Sequence, residues 1–291
     1  MPTDVDPSAT AATPAPPATT TAEDSNARPA TAPHDVCETP RKISHQLLFG
    51  IPIHVCTTAE AVQSCLHAVE TNAPVHIGCV NAAKIVKMRR DSLLRDSVLS
   101  SDLILADGIA VVWASRVLGR PLPERVTGID LFTNLLAAAA QRQQSIYLLG
   151  ATPDVLAQLI TRITTEYPGV RIAGSHHGYF NETEEADIAR DISAAGADYL
   201  FVGITSPKKE RFLAQWQGQL DVRVCHGVGG SFDVLAGAVR RACGAWQRLG
   251  LEWLFRLLQE PRRLWKRYLV TNTKFLLLLL GEVFRRIVGR A

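Results

Sequence analysis

Short apolar runs punctuate the middle of the chain, most of them bounded by Gly, Asp or Ser: Val75–Val80, Asp102–Ala106, Ser145–Leu149, Tyr199–Val202 and Val222–Cys225. Runs of this length predict buried strands. Between them, apolar positions fall at helical spacing over Ala83–Leu99, Leu131–Gln141 and Asp154–Glu166. Strand and helix in alternation predict right-handed βαβ units, hence an α/β fold with a parallel sheet. Such sheets bind ligands beyond the carboxyl ends of their strands, so chemistry is expected just after each run.

Both ends of the chain depart from this texture. Residues 1–40 hold eight of the sixteen prolines, and Ala, Thr and Pro fill 25 of the 40 positions. A segment with so little apolar surface cannot offset the entropy of ordering and is expected to be a disordered leader. It lacks the basic start and apolar centre of a secretory signal, and its acids (Asp4, Asp6, Glu23, Asp24, Asp35) argue against a transit peptide. After Gly250 the chain is rich in Arg and Lys, with Trp253, Phe255, Trp265 and Tyr268 interleaved, and then runs into Phe275–Leu280. Six apolar residues fall far short of the roughly 20 that span a bilayer. The pattern predicts a peripheral amphipathic element, spanning 241–291, whose apolar face meets lipid or a second copy of the chain, as in a homo-oligomer. The central domain is then 41–240. Removing residues beyond Gly250 is expected to abolish vesicle binding and spare the fold.

Charge sharpens this division. The formal net charge of +3 over 291 residues seems to exclude a polyanion partner, but Arg240–Ala291 holds twelve Lys/Arg against three acids, a local +9, leaving −6 on the rest. One end therefore suits a polyanion, although a solvated helical face would carry the same charges. Nucleic acid fits poorly, because the tail aromatics sit in leucine-rich helical periodicity with no stacking platform on a sheet. Six cysteines without a CxxC pair exclude a disulfide scaffold and suit reduced thiols.

At the strand ends, Asp107 follows an apolar run and precedes Gly108. It reads equally as a desolvated general base or as a cap of the next helix. Thr152-Pro153 has the form of a cap followed by a first helical residue, and Ser206-Pro207 repeats it ahead of Lys208-Lys209. Lysines are unfavourable at the positive end of a helix, so a bound anion such as a pyrophosphate is expected there. The glycine-rich stretch His226–Asp233 permits close backbone approach but lacks the dinucleotide spacing. The histidines show no metal-ligand spacing, and no Asp-x-Asp, Walker loop, G-x-S-x-G or HExxH occurs. These residues point to an α/β enzyme that binds an anionic small molecule beside a membrane, without naming the reaction.

Nine motifs in order go further: Val80-Asn81-Ala82, Ala106-Asp107-Gly108, Glu124-Arg125 through Asp130, Leu149-Gly150-Ala151-Thr152, His177-Gly178-Tyr179-Phe180, Ser206-Pro207 through Glu210, Gly227 through Asp233, Leu249 through Trp253, and Glu260-Pro261-Arg262-Arg263. Over roughly residues 45–285 the chain resembles the WecG/TagA/CpsF family of bacterial glycosyltransferases. The resemblance implies a Rossmann-like sheet with a basic helical C-terminal appendage. It implies an inverting transferase that moves N-acetylmannosamine, its uronic acid or another hexose from a UDP-sugar to an undecaprenyl-diphosphate-linked sugar. Such an enzyme would serve exopolysaccharide or cell-surface polysaccharide synthesis, need no metal cofactor, and lie on the inner face of the cytoplasmic membrane. A non-catalytic UDP-sugar-binding component that docks a polysaccharide assembly is the alternative.

Residue by residue, the resemblance assigns Asp107 as the base that takes the acceptor hydroxyl proton. It gives Tyr179 and Asp233 to the uracil, and Gly150, Gly203 and Lys209 to the rest of the donor. Cys79, Asn81 and Arg125 fall on the acceptor side. Arg256, Arg263 and Lys266 fall to the lipid diphosphate and membrane, with Arg256 and Arg263 on one face if their helix is continuous. Three positions depart from the family pattern. Cys79 replaces a threonine, Lys209 a glutamine, and Cys243 the proline of an Arg-Ala-Pro.

Overall fold

Alternation of side chains along each strand sorts the core into two sides of one sheet. In the computed structural model, which describes residues 43–288 except Leu249, the elements run as follows. A hairpin, β1 (His45–Leu48) and β2 (Ile51–His54), leads to α1 (Thr58–Glu70), β3 (Val75–Val80), α2 (Ala82–Met88), α3 (Ser92–Leu99) and β4 (Leu103–Ala106). Next come α4 (Ile109–Val117), α5 (Gly128–Gln141), β5 (Ser145–Gly150), α6 (Pro153–Glu166), β6 (Arg171–His176) and α7 (Glu185–Ala195). The chain closes with β7 (Tyr199–Gly203), α8 (Lys208–Trp216), β8 (Val224–Gly227), α9 (Ser231–Leu235), α10 (Gly244–Arg248), α11 (Glu252–Gln259) and α12 (Pro261–Val288). The leader expected over 1–40 lies outside the described residues.

Six strands pair in parallel in the order β4-β3-β8-β7-β5-β6. Leu103, Leu105, Ile146, Leu148, Tyr199, Phe201 and Val224 face one side, with α1, α5, α6 and α9. Their sequence neighbours Ile104, Ala106, Tyr147, Leu149, Leu200, Val202 and Cys225 face the other, covered by α2, α3, α4, α7 and α8. A doubly covered parallel sheet is the α/β architecture the pattern predicts.

The expected helix over Ala83–Leu99 is two helices. Asp91 ends the first by capping the second, its Oδ1 accepting the Leu94 N–H at 3.0 Å. The last strand begins two residues later than expected, which puts His226 and Gly227 in the sheet. β6 and the β1–β2 hairpin were not anticipated. β6 is an edge strand with alternate residues exposed, and the hairpin strands are only four residues long.

The C-terminal segment is built into the fold. α12 lies along α2, and Phe275, 6% exposed, packs its ring tilted against that of Phe49, centroids 5.1 Å apart, in a cluster joined by Leu278, Leu279 and Val283. Truncation after Gly250 would therefore strip a wall from this core, contrary to the expectation of an intact body. The opposite face of α12 leaves Trp265, Leu269, Leu280, Phe284 and Ile287 exposed. No helix among the described residues is long and apolar enough to cross a membrane.

Candidate active site at the carboxyl edge of the sheet

β3 and β8 are neighbours whose following helices leave on opposite sides, α2 with α3 and α12, and α9 with α5 and α6. This divergence opens a crevice at the strand ends. At its floor the Asp107 N–H donates to the Val80 carbonyl at 2.9 Å, which extends the ladder by one bond. The Asp107 carboxylate does not cap α4, whose N-cap is Gly108 with no side-chain bond. Instead Oδ1 accepts the Gly128 N–H at the start of α5, at 3.1 Å. This fixes the carboxylate against a helix N-terminus and leaves Oδ2 for other work. Gly108 packs so close to Asn81 that a Cβ there would lie 2.9 Å from the Asn81 Cβ. Asn81 in turn caps α2, with Oδ1 accepting the Lys84 N–H at 3.0 Å, and its amide N–H group is what it can offer a substrate.

Positive charge gathers beside this pair. The Lys209 side chain lies across Gly227, where a Cβ would come within 3.0 Å of Nζ, and it pairs with Glu210 at 3.5 Å. Glu210 is only 2% exposed; its burial opposes ionisation, but Lys209 and then Lys84 hold its carboxyl below the usual range. Burial, then the neighbouring Lys209, lowers the Lys84 ammonium to about 8. Burial, then Asp107, pushes the Cys79 thiol up to about 12, so it is a neutral thiol at neutral pH and not a nucleophile. His226 is wholly buried on β8, with Nε2 3.0 Å from the Gly128 carbonyl and Nδ1 without a protein partner among the described residues. Burial lowers it to about 4. It is therefore neutral at pH 7, with the proton on Nε2.

The residues expected on the donor side form a second group. Gly150 has φ +144°, and a Cβ there would overlap the Gly203 backbone; a Cβ on Gly203 would overlap the Phe232 ring. β5, β7 and α9 thus meet with nothing between them, and Asp233 follows Phe232, half-buried on α9. The loop after β6 rests on the same floor through the Gly178 N–H, which donates to the Ala151 carbonyl at 2.8 Å. Its Tyr179 is 72% exposed, a ring presented to solvent. Lys208 secures this loop, donating to the Gly178 carbonyl at 3.0 Å and to that of Phe180, with Nζ 3.5 Å from the Phe180 ring centroid. The expected lysine pair therefore splits. Lys208 is spent on the loop and Lys209 faces the crevice. Thr152 caps α6 as expected, accepting the Val155 N–H, but Ser206 does not cap α8, whose N-cap is Pro207.

Arg125, expected on the acceptor side, is tied to the C-terminal segment. Arg125 Nη1 reaches Glu252 of α11 at 3.2 Å, and Arg256 takes the other Glu252 oxygen at 3.1 Å. The continuous helix expected to align Arg256 with Arg263 is absent. α11 ends at Gln259 and α12 starts at Pro261, because proline donates no N–H to the preceding turn and disfavours helix at the residue before it. Lys266 is exposed on α12; the Arg263 side chain lies outside the described residues.

A crevice with a held carboxylate, two lysines and a glycine floor at the strand ends is the geometry of a group-transfer site. A model of the glycosyl transferase WecG/TagA/CpsF family matches residues 46–288. The chain belongs to that family. It is thus a glycosyltransferase. Two curated relatives are named N-acetylglucosaminyldiphosphoundecaprenol N-acetyl-beta-D-mannosaminyltransferase. The one from Bacillus spizizenii (strain ATCC 23059 / NRRL B-14472 / W23) is 42% identical over 175 residues, 60% of this chain and 67% of its own. The one from Bacillus subtilis (strain 168) is 36% identical over 216 residues, 74% of this chain and 83% of its own. In this glycosyltransferase the sequence reading missed Lys84, Glu210, His226 and Glu252 as site residues. Lys84 was within reach: it sits in the first turn of α2, where the argument used for Lys208 and Lys209 applies equally. His226 was read as part of a loop, and no periodicity marks Glu252 as a partner of Arg125.

Proposed function

We propose that this glycosyltransferase moves N-acetylmannosamine or a related hexose from a UDP-sugar to an undecaprenyl-diphosphate-linked sugar, in one inverting displacement and without a metal. The observation that carries the reading is Asp107 fixed through Oδ1 on α5, with Oδ2 unspent, beside Asn81 and next to Cys79, on which the Lys209 charge also acts. Oδ2 accepts the proton of the acceptor hydroxyl as its oxygen bonds to the anomeric carbon. The bond from that carbon to the UDP oxygen breaks, and its electron pair leaves on the diphosphate, whose charge Lys209 offsets. Tyr179 stacks on the uracil and Asp233 accepts its imide N–H. The names of the two relatives support the acceptor and the sugar. The basic segment from Arg240 onward, with Arg256, Arg263 and Lys266, meets the lipid diphosphate on an anionic membrane, and the exposed face of α12 enters its surface.

The test is incubation with a panel of UDP-sugars and a short-chain polyprenyl-diphosphate-N-acetylglucosamine, read by mass spectrometry of the lipid and by UDP release, with and without EDTA. Asp107→Asn is expected to lose about 10²–10⁴-fold in turnover while UDP affinity stays within about twofold. No product from any donor, or full activity of Asp107→Asn, overturns the assignment. Activity abolished by EDTA and restored by a divalent cation overturns its metal-free part.

A further inference from the structure

Lys84 is the least comfortable cation in the crevice. It occupies the third position of α2, directly after β3, while Lys209 lies across Gly227 at the end of the neighbouring strand β8, and of its charged neighbours Lys209 acts on it most strongly. It makes no side-chain hydrogen bond or ion pair among the described residues, although it is half-buried. Lys209, by contrast, has Glu210 at 3.5 Å. The carboxylates in the field of Lys84 are Glu210, which already serves Lys209, and Asp107, whose Oδ1 is held by Gly128. Cys79, also beside it, is a neutral thiol. A cation so placed costs the free protein stability and is relieved when an anion enters between the two ammonium groups.

We propose that Lys84 and Lys209 together form a two-cation site for an anionic group of the donor nucleotide, with Lys84 as a binding residue that neither the sequence motifs nor the relatives assign. The inference rests on the UDP-sugar reading above. The shared chemistry is an oxyanion, which the donor can supply as its diphosphate or as a carboxylate on its sugar.

Calorimetric titration of the full chain with UDP, UMP, UDP-glucose and UDP-glucuronate separates these sources. For Lys84→Met, a diphosphate ligand predicts at least a tenfold loss of UDP affinity and a smaller loss for UMP. A sugar carboxylate instead predicts unchanged UDP affinity and a tenfold loss confined to UDP-glucuronate relative to UDP-glucose. Lys84→Arg retains the charge and is expected to stay within about threefold of the parent for every ligand. Thermal unfolding guards against a folding defect, since removing an unpaired cation should leave Tm equal or higher. The proposal is overturned if Lys84→Met binds all four ligands as the parent does. It is equally overturned if affinity falls together with Tm and Lys84→Arg fails to rescue it. A parent protein that binds none of the four removes the UDP-sugar reading itself, a result distinguishable from failure of Lys84 alone.

Discussion

Glu252 and Arg125 join the C-terminal segment to the catalytic body across 127 positions of sequence, at 3.2 Å. Arg125 is 16% and Glu252 11% exposed at their side chains, and Arg256 completes the group from the next turn of α11. Glu252→Gln leaves Arg125 facing a neutral amide in a half-dry setting, at an expected cost of about 2–3 kcal/mol. A lower Tm and faster proteolysis within α11 are the expected results. Unchanged protection would mean that the pair contributes nothing to docking.

Gly203→Ala tests the proposed donor floor. The added methyl group meets the Phe232 ring, and any relief shifts α9 and therefore Asp233. Overpacking of this kind costs about 1–3 kcal/mol. The variant should fold, with lower Tm and at least tenfold weaker UDP binding; parent-like binding would detach Asp233 from the donor.

The acid limb of stability should bear the mark of His226. Its folded value of about 4 lies below the 6.5 of an unperturbed histidine, so the unfolded chain binds more protons between those limits. Its contribution is complete above about pH 6.5 and is lost as pH falls toward 4. The full effect of such a shift is on the order of 3 kcal/mol. His226→Gln keeps a donor for the Gly128 carbonyl and should flatten the fall in chemical-denaturation stability across that window. His54 and His76 are also lowered by burial and should leave a residual slope.

The two faces of α12 predict opposite phenotypes. Phe275→Ala opens a void beside Phe49 and should cost about 3–5 kcal/mol. Leu269→Ser, on the exposed face, should shift stability by no more than about 0.5 kcal/mol. On vesicles containing anionic lipid the ranking should reverse, with Leu269→Ser weakening co-sedimentation of the folded protein. Equal co-sedimentation by Leu269→Ser and parent would remove this face from the membrane contact.

Much of the sheet was legible because its strands are buried on both sides and read as unbroken apolar runs, as in Ser145–Leu149. β6 escaped because an edge strand with His, Gly and Ser on it carries no such run. The break between α2 and α3 was written in Asp91, but the apolar periodicity on either side concealed it. At the site, the strand-end rule located Asp107 and the glycine floor, and the family resemblance added Asn81. It could not show that Asp107 is held by Gly128, because a bond between residues 21 apart has no local signature. The tail was legible as amphipathic and basic, but composition could not reveal that Phe275, Leu278, Leu279 and Val283 close the core.

The packing of α12 on α2 also fixes a length. The helix whose outer face is apolar lies against the helix that Asn81 caps and that carries Lys84. Packed helix axes lie about 8–10 Å apart. A protein resting on that outer face would hold its reacting centre little more than one helix above the lipid headgroups. On the proposed reading, that spacing lets a diphosphate and a single sugar reach Asp107 while the polyprenyl chain stays in the bilayer.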